Sequence, residues 1–226
     1  MSRLKPSRLF LSLTLICLVL AIPATVSAID PDNLNSGAFG NRTGADIYYL
    51  YVSPGDSELW GTDILGSERV LDDGDTLEFF IHYPDQCNDF DIMAVDGFDV
   101  AYIVNDFEIC DGSEASVSFT SDDALSTPPE FELMQLELTN NTGYEILYLF
   151  VSPEDSNMWG VDQMDSETTL DEGDTISLGL SFNATDIRYD VHAVDVDGDT
   201  YTFQVDLADH VDYELEAAIY LDHIDF

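Results

Sequence analysis

One stretch occurs twice in this chain and constrains its fold more than any other feature. It reads Val52-Ser-Pro-Gly-Asp-Ser-Glu-Leu-Trp60-Gly61 and then, 99 residues later, Val151-Ser-Pro-Glu-Asp-Ser-Asn-Met-Trp159-Gly160. The same offset runs without a gap from Thr43-Gly44 against Thr142-Gly143 to Tyr102 against Tyr201. A period this long makes each copy a small domain rather than a solenoid turn. The expected division is a first repeat over 41–120, a linker over 121–130 (Pro128-Pro129 stiffening it) and a second repeat over 131–226.

Within each repeat the apolar pattern is that of strands. Ile47–Val52 is apolar on both faces, as a central strand of a sandwich is. Thr76–Tyr83, Phe90–Asp96, Asp99–Asn105 and Ala115–Thr120 come after it. In the second repeat Tyr144–Val151, Ile176–Phe182, Ile187–Asp195, Thr200–Leu207 and Tyr213–Tyr220 read the same way, with Phe131–Leu138 as an opening strand. From Tyr201 to Leu207 apolar and polar residues alternate, the mark of a half-buried strand. Gly and Asp punctuate these segments at short spacing and no helical period is present, so the fold class is all-β, two tandem β-sandwich domains of similar fold. Asp56 and Ser57 are expected to cap one short turn, Glu58-Leu59-Trp60, and Trp60 to plug one end of the core. At the same offset Phe131–Leu138 faces residues 32–39, which have little strand character, so the first domain is expected to lack an edge strand. Residues 29–40 then read as an extended arm.

Residues 1–28 have the form of a secretory signal: a basic start (Arg3, Lys5, Arg8), an apolar run from Leu9 to Ile22, and Val26-Ser27-Ala28 for cleavage. The run is short for a membrane span, and no later segment is apolar enough for one. Residues 29–226 hold three arginines (Arg42, Arg69, Arg188), no lysine and all 46 acidic residues, a formal net of −43. Such a surface repels nucleic acid, which needs a basic patch. It is tolerable in molar salt, which screens charge within about 3 Å, or with calcium between carboxylates. Outside the signal the cysteines are Cys87 and Cys110, expected to pair in an exported protein.

Several residue groups have types that carry chemistry. Asp195-Val-Asp197-Gly-Asp199 spaces carboxylates as calcium loops do, although Thr200 stands where such a loop needs glycine; a hairpin with an Asp-Gly turn is the plainer reading, and a calcium ion could sit on that hairpin as well. Asp56 and Asp63, with Asp155 and Asp162, flank the tryptophan loops, as caps or as cation ligands. Asn41, Asn140 and Asn183 head Asn-x-Thr sequons near turns, where a glycan would be accessible. Trp60 and Trp159 offer ring faces to a sugar. His82, His192, His210 and His223 share no spacing with a nucleophile or a metal-ligand set, so no enzymatic constellation emerges.

The string Asn-x-Thr-Gly, Leu-Tyr/Phe-Val-Ser-Pro, Trp-Gly-x-Asp, Leu-Asp-x-Gly-Asp and Tyr-Asp-Val…Asp-Gly-Asp resembles a repeat of exported bacterial proteins of unknown function. The resemblance covers most of both repeats. It implies a small β domain and carries over no catalytic residue. The first repeat departs from it at the last motif, with Asp96-Gly-Phe-Asp99. The expected function is non-enzymatic: a secreted subunit of an extracellular filament or surface assembly, calcium-stabilised and glycosylated, self-associating by strand addition from the 29–40 arm or the 219–225 tail. The alternative is a carbohydrate- or ligand-binding module using the tryptophan loops.

Overall fold

The computed structural model describes residues 34–67, 69–82, 87–110, 115–127, 129–164, 168–182, 187–209 and 212–225. The signal-like segment 1–28 and the sequon at Asn183 lie outside these. Fourteen strands form among the described residues. The first repeat contributes β1 (Asn35–Arg42), β2 (Ile47–Pro54), β3 (Thr62–Asp63), β4 (Thr76–His82), β5 (Cys87–Asp96), β6 (Ala101–Cys110) and β7 (Ala115–Thr120). The second contributes β8 (Glu132–Asn141), β9 (Ile146–Pro153), β10 (Gly160–Val161), β11 (Thr175–Phe182), β12 (Arg188–Asp195), β13 (Thr200–Asp206) and β14 (Glu214–Tyr220). The all-β expectation holds, and the two repeats carry the same seven strands in the same order.

Each repeat has its own core between two half-sheets. In the first, β4-β1-β7 faces β2-β5-β6 across Phe39, Leu50, Ile81, Phe90, Ile92 and Phe119, all fully buried. In the second, β11-β8-β14 faces β9-β12-β13 across Leu136, Leu149, Leu180, Tyr189 and Val191. The half-sheets do not stop at the repeat boundary. One sheet runs β14-β8-β11-β3-β2-β5-β6, so the two-residue strand β3 joins the second repeat's β11 to the first repeat's β2. Opposite it, β10 pairs with β4 of the first repeat and reaches β9 through the Phe150–Asp162 bridge. The repeats therefore share both layers.

The expectation of a missing edge strand is corrected. Residues 35–42 form β1, inside a sheet, antiparallel to β4 and parallel to β7. Its sequence, Asn-Ser-Gly-Ala-Phe-Gly-Asn-Arg, lacks apolar alternation because glycine does packing work there. A Cβ on Gly37 would lie 2.4 Å from the Ala115 carbonyl oxygen and from the Phe79 ring. One anchor suffices: Phe39, fully buried, stacks on Phe79 at 4.1 Å. The 29–40 arm is thus part of the sheet from Asn35 onward. The other expected donor, the 219–225 tail, closes its own repeat. Ile224 bridges Tyr201, and Asp225 N–H donates to the Thr200 carbonyl at 2.8 Å. Ala124 and Leu125 do the same to Tyr102 and Ala101, so the first half of the expected linker belongs to the first repeat.

The recurring motifs explain themselves as turn chemistry. Asn41 donates both amide hydrogens, to the carbonyls of Ala45 and Leu71, and its Oδ1 accepts from Thr43 N–H and Oγ1. Asn140 does the same with Tyr144, Leu170 and Thr142. Asn-x-Thr-Gly is thereby tied to Leu-Asp-x-Gly-Asp, whose leucine exchanges two backbone hydrogen bonds with Ile47 or Ile146. Both asparagines are fully buried. The expectation that a glycan would be accessible at Asn41 and Asn140 is corrected, since the folded side chains have no free N–H for a transferase.

Asn41→Ala and Asn140→Ala each leave two carbonyls and two threonine donors without their buried partner, at about 2–3 kcal/mol per site. Urea unfolding of either variant will show a loss of that order, whereas a midpoint equal to that of the parent chain would refute the anchoring role.

Candidate functional site

The chain offers three candidate sites, the hairpin carboxylates, the tryptophan loops and the open sheet edges.

The hairpin carboxylates do not converge. Asp195 is almost fully buried at the end of β12. Its Oδ1 accepts from the N–H groups of Asp197 and Asp199, both at 2.9 Å, and its Oδ2 accepts from the Tyr201 hydroxyl at 2.7 Å. Burial and the Asp195 carboxylate together push the Tyr201 hydroxyl well above the phenolic range, which keeps it a donor. Asp96 makes the same three bonds, to Phe98, Val100 and Tyr102. The two last motifs are therefore one structure despite their different sequences. Asp99 takes the left-handed position (φ 61°) that Gly198 (φ 84°) fills in the second repeat. Asp195 closes a hairpin, while Asp197 and Asp199 stand exposed beside it.

The four loop aspartates divide into two pairs. Asp63 and Asp162, both about 5% exposed, hold the short strands β3 and β10. Asp63 Oδ1 accepts from Leu50 N–H at 3.0 Å and Leu65 N–H at 3.2 Å, and Asp162 Oδ1 from Leu149 at 2.9 Å and Met164 at 3.2 Å. Asp56 and Asp155 work across the repeat boundary. Asp56 accepts from Ser156 Oγ at 2.8 Å and Asn157 N–H at 3.2 Å, and Asp155 from Ser57 Oγ at 2.8 Å and Glu58 N–H at 3.0 Å. Each caps the loop of the other repeat, so the expected capping of the Glu58-Leu59-Trp60 turn falls to Ser57, whose Oγ accepts from Leu59 N–H at 3.0 Å, and not to Asp56. Among the described residues, the one grouping of three metal-type ligands within 4.8 Å is Cys87, Glu108 and Cys110. Both sulfurs there form the expected disulfide, directly opposite each other on β5 and β6.

The tryptophans lie on the outer faces of the sheets, which corrects the expectation that Trp60 plugs an end of the core. Alternation along β2 turns Leu50 and Val52 inward and Tyr51 outward. Trp60 packs with Tyr51 and Met93, and Phe131 covers them from the second repeat. Symmetrically, Trp159 stacks on His192 at 4.8 Å beside Phe150, and Leu34 of the first repeat joins that cluster. Both indoles are half-buried against protein and serve the junction between repeats. Only the exchange of roles between the two copies reveals this, and a single repeat carries no signal for it.

The sheet edges differ. Along β14, Glu214 and Glu216 stand exposed. The groove of about 700 Å³ between β13 and β14 adds Asp206 and Asp212 to its lining. On β7, Ala-Ser-Val-Ser-Phe-Thr, Ala115, Val117 and Phe119 point inward, Ser116 and Ser118 outward, and no charge is present. Among the described residues β7 is paired on one side alone, with β1. No helix among the described residues is long and apolar enough to cross a membrane. The chain matches no protein-family model and no curated protein.

Burial at the boundary pushes the Asp63 carboxyl up to about 6, against the lowering pull of the Leu50 and Leu65 N–H groups and Arg69. The fold thus favours the neutral acid. That contribution is complete below 3.8, the ordinary value, and is lost as pH rises through about 6. Asp63→Asn keeps the accepting Oδ1 and removes the titration, so the stability difference between parent and variant will change by on the order of 1–3 kcal/mol between pH 4 and 6.5. A difference that stays constant with pH would contradict a buried, raised Asp63.

Proposed function

We propose that the chain is a non-enzymatic, exported structural protein whose copies join at sheet edges into an extracellular filament or surface assembly. The observation that carries this reading is the charge-free edge of β7. A chain with 46 acidic and six basic residues repels its own copies almost everywhere. Edge strands are ordinarily protected by charge, as β14 is by its glutamates. An unguarded six-residue edge is where another strand adds at least electrostatic cost. Two copies meeting antiparallel at β7 would extend the β4-β1-β7 layer of one into that of the next and set serines opposite serines. Cys87–Cys110 suits an oxidising compartment outside the cell. Cations, calcium among them, serve in this reading by screening the surfaces brought together.

The recurring aspartates and asparagines support a structural role, because their polar atoms are engaged in turns and in the repeat boundary. The half-buried tryptophans give little support to the alternative reading of a sugar-binding module.

Light scattering in about 1 M salt, where the screening length falls to about 3 Å, tests the proposal. The parent chain will associate and a Ser116→Glu/Ser118→Glu variant will remain monomeric, with the same circular dichroism. Equal association of the two would remove β7 from the assembly. At fixed ionic strength, calcium against chelator separates divalent bridging from plain screening.

A further inference from the structure

The boundary between repeats is built twice, and its main contacts come in reciprocal pairs. Asp56 holds the Ser156–Asn157 loop and Asp155 holds the Ser57–Glu58 loop. Strand β3 pairs with β11, as β10 does with β4. Met158 and Val161 enter the first core, and Leu59 packs against the second. Phe131 covers the outer cluster of the first repeat, and Leu34 joins that of the second. This is the geometry of a two-fold dimer interface held within one chain.

We propose that the same interface also forms between copies, the second repeat of one chain docking on the first repeat of another, with the hinge at Ser126 and Thr127. This rests on the assembly reading above and gives it a second mode of contact. The occupant is a second copy of this chain, because only it presents β10, Asp155 and Phe131 in the arrangement that the first repeat already accepts. The connection is suited to opening. Leu125 is tied to Ala101 and Phe131 to Tyr51, while Ser126 and Thr127 between them are exposed.

The closed chain and the exchanged pair make the same contacts, so two other quantities decide between them. One is the effective concentration of the tethered repeat, in the millimolar range for a short connection. The other is repulsion between chains of formal charge −40, which salt weakens. Exchange therefore belongs to concentrated protein in high salt, the condition inside an assembly.

The test is to unfold the full chain and refold it in about 1 M salt at concentrations from about 1 µM to about 1 mM. Light scattering should show an oligomer fraction rising roughly in proportion to refolding concentration and persisting after dilution. Isotopically labelled and unlabelled chains should form hybrid dimers when refolded together, and none when mixed after refolding. The Ser116→Glu/Ser118→Glu variant should behave the same way, and deletion of Ser126 and Thr127 should raise the exchanged fraction severalfold. Monomer at every refolding concentration would overturn the proposal. So would oligomers that dissociate on dilution or vanish in the serine variant, which would leave edge pairing at β7 as the sole contact.

Discussion

Two residues on each side hold this molecule together across its middle. Strands β3 and β10 are too short to be stable by themselves, and each pairs with a strand of the other repeat, β3 with β11 and β10 with β4. A two-residue strand gains position only if its flanks are fixed. The buried Asp63 and Asp162 supply this by accepting paired N–H groups, and Asp56 and Asp155 supply it by capping the opposite loop. With the boundary strands placed, each half-sheet finds its continuation and both cores close. The apolar anchors Met158 and Val161 then fill the first core from the second repeat.

The extreme charge is compatible with this design because it stays outside. Each described arginine side chain lies close to the fold. Arg42 donates to the Asn41 and Asp75 carbonyls, Arg69 to those of Ile64 and Leu65, and Arg188 lies between Glu154 and Asp206. The few buried carboxylates are satisfied by backbone N–H groups and tyrosine hydroxyls, the arrangement that lets a carboxylate leave water at tolerable cost. The result is a surface that opposes contact with its own kind except where charge is missing, and β7 is such a place. A strongly acidic chain made of repeats thus leaves few routes to association, and those routes are specific.

Much of the fold was legible in sequence. The 99-residue offset, the alternation in β13 and the apolar run of β2 placed strands correctly because periodicity reports burial directly. β1 was missed because its determinants are two glycines and a single phenylalanine. Gly37 reads as a loop residue, yet it is required by close packing that only the neighbouring strand and Phe79 reveal. The aspartates were recognised as recurring and structural or cation-binding, but their partners were not legible. Asp56 acts on residues about 100 positions away. The sequons at Asn41 and Asn140 were ambiguous for a related reason: Asn-x-Thr is also the pattern by which an asparagine and a threonine two residues on close a turn, and both of these asparagines are buried in that use.

Strands shared across the boundary make the repeats one cooperative body and not two domains on a string. Differential scanning calorimetry of the full chain in high salt tests it directly, through the ratio of calorimetric to van't Hoff enthalpy. A single transition with a ratio of about 1 is the predicted result. Two transitions, or one with a ratio of about 2, would mean that each repeat unfolds alone and that the shared strands contribute little.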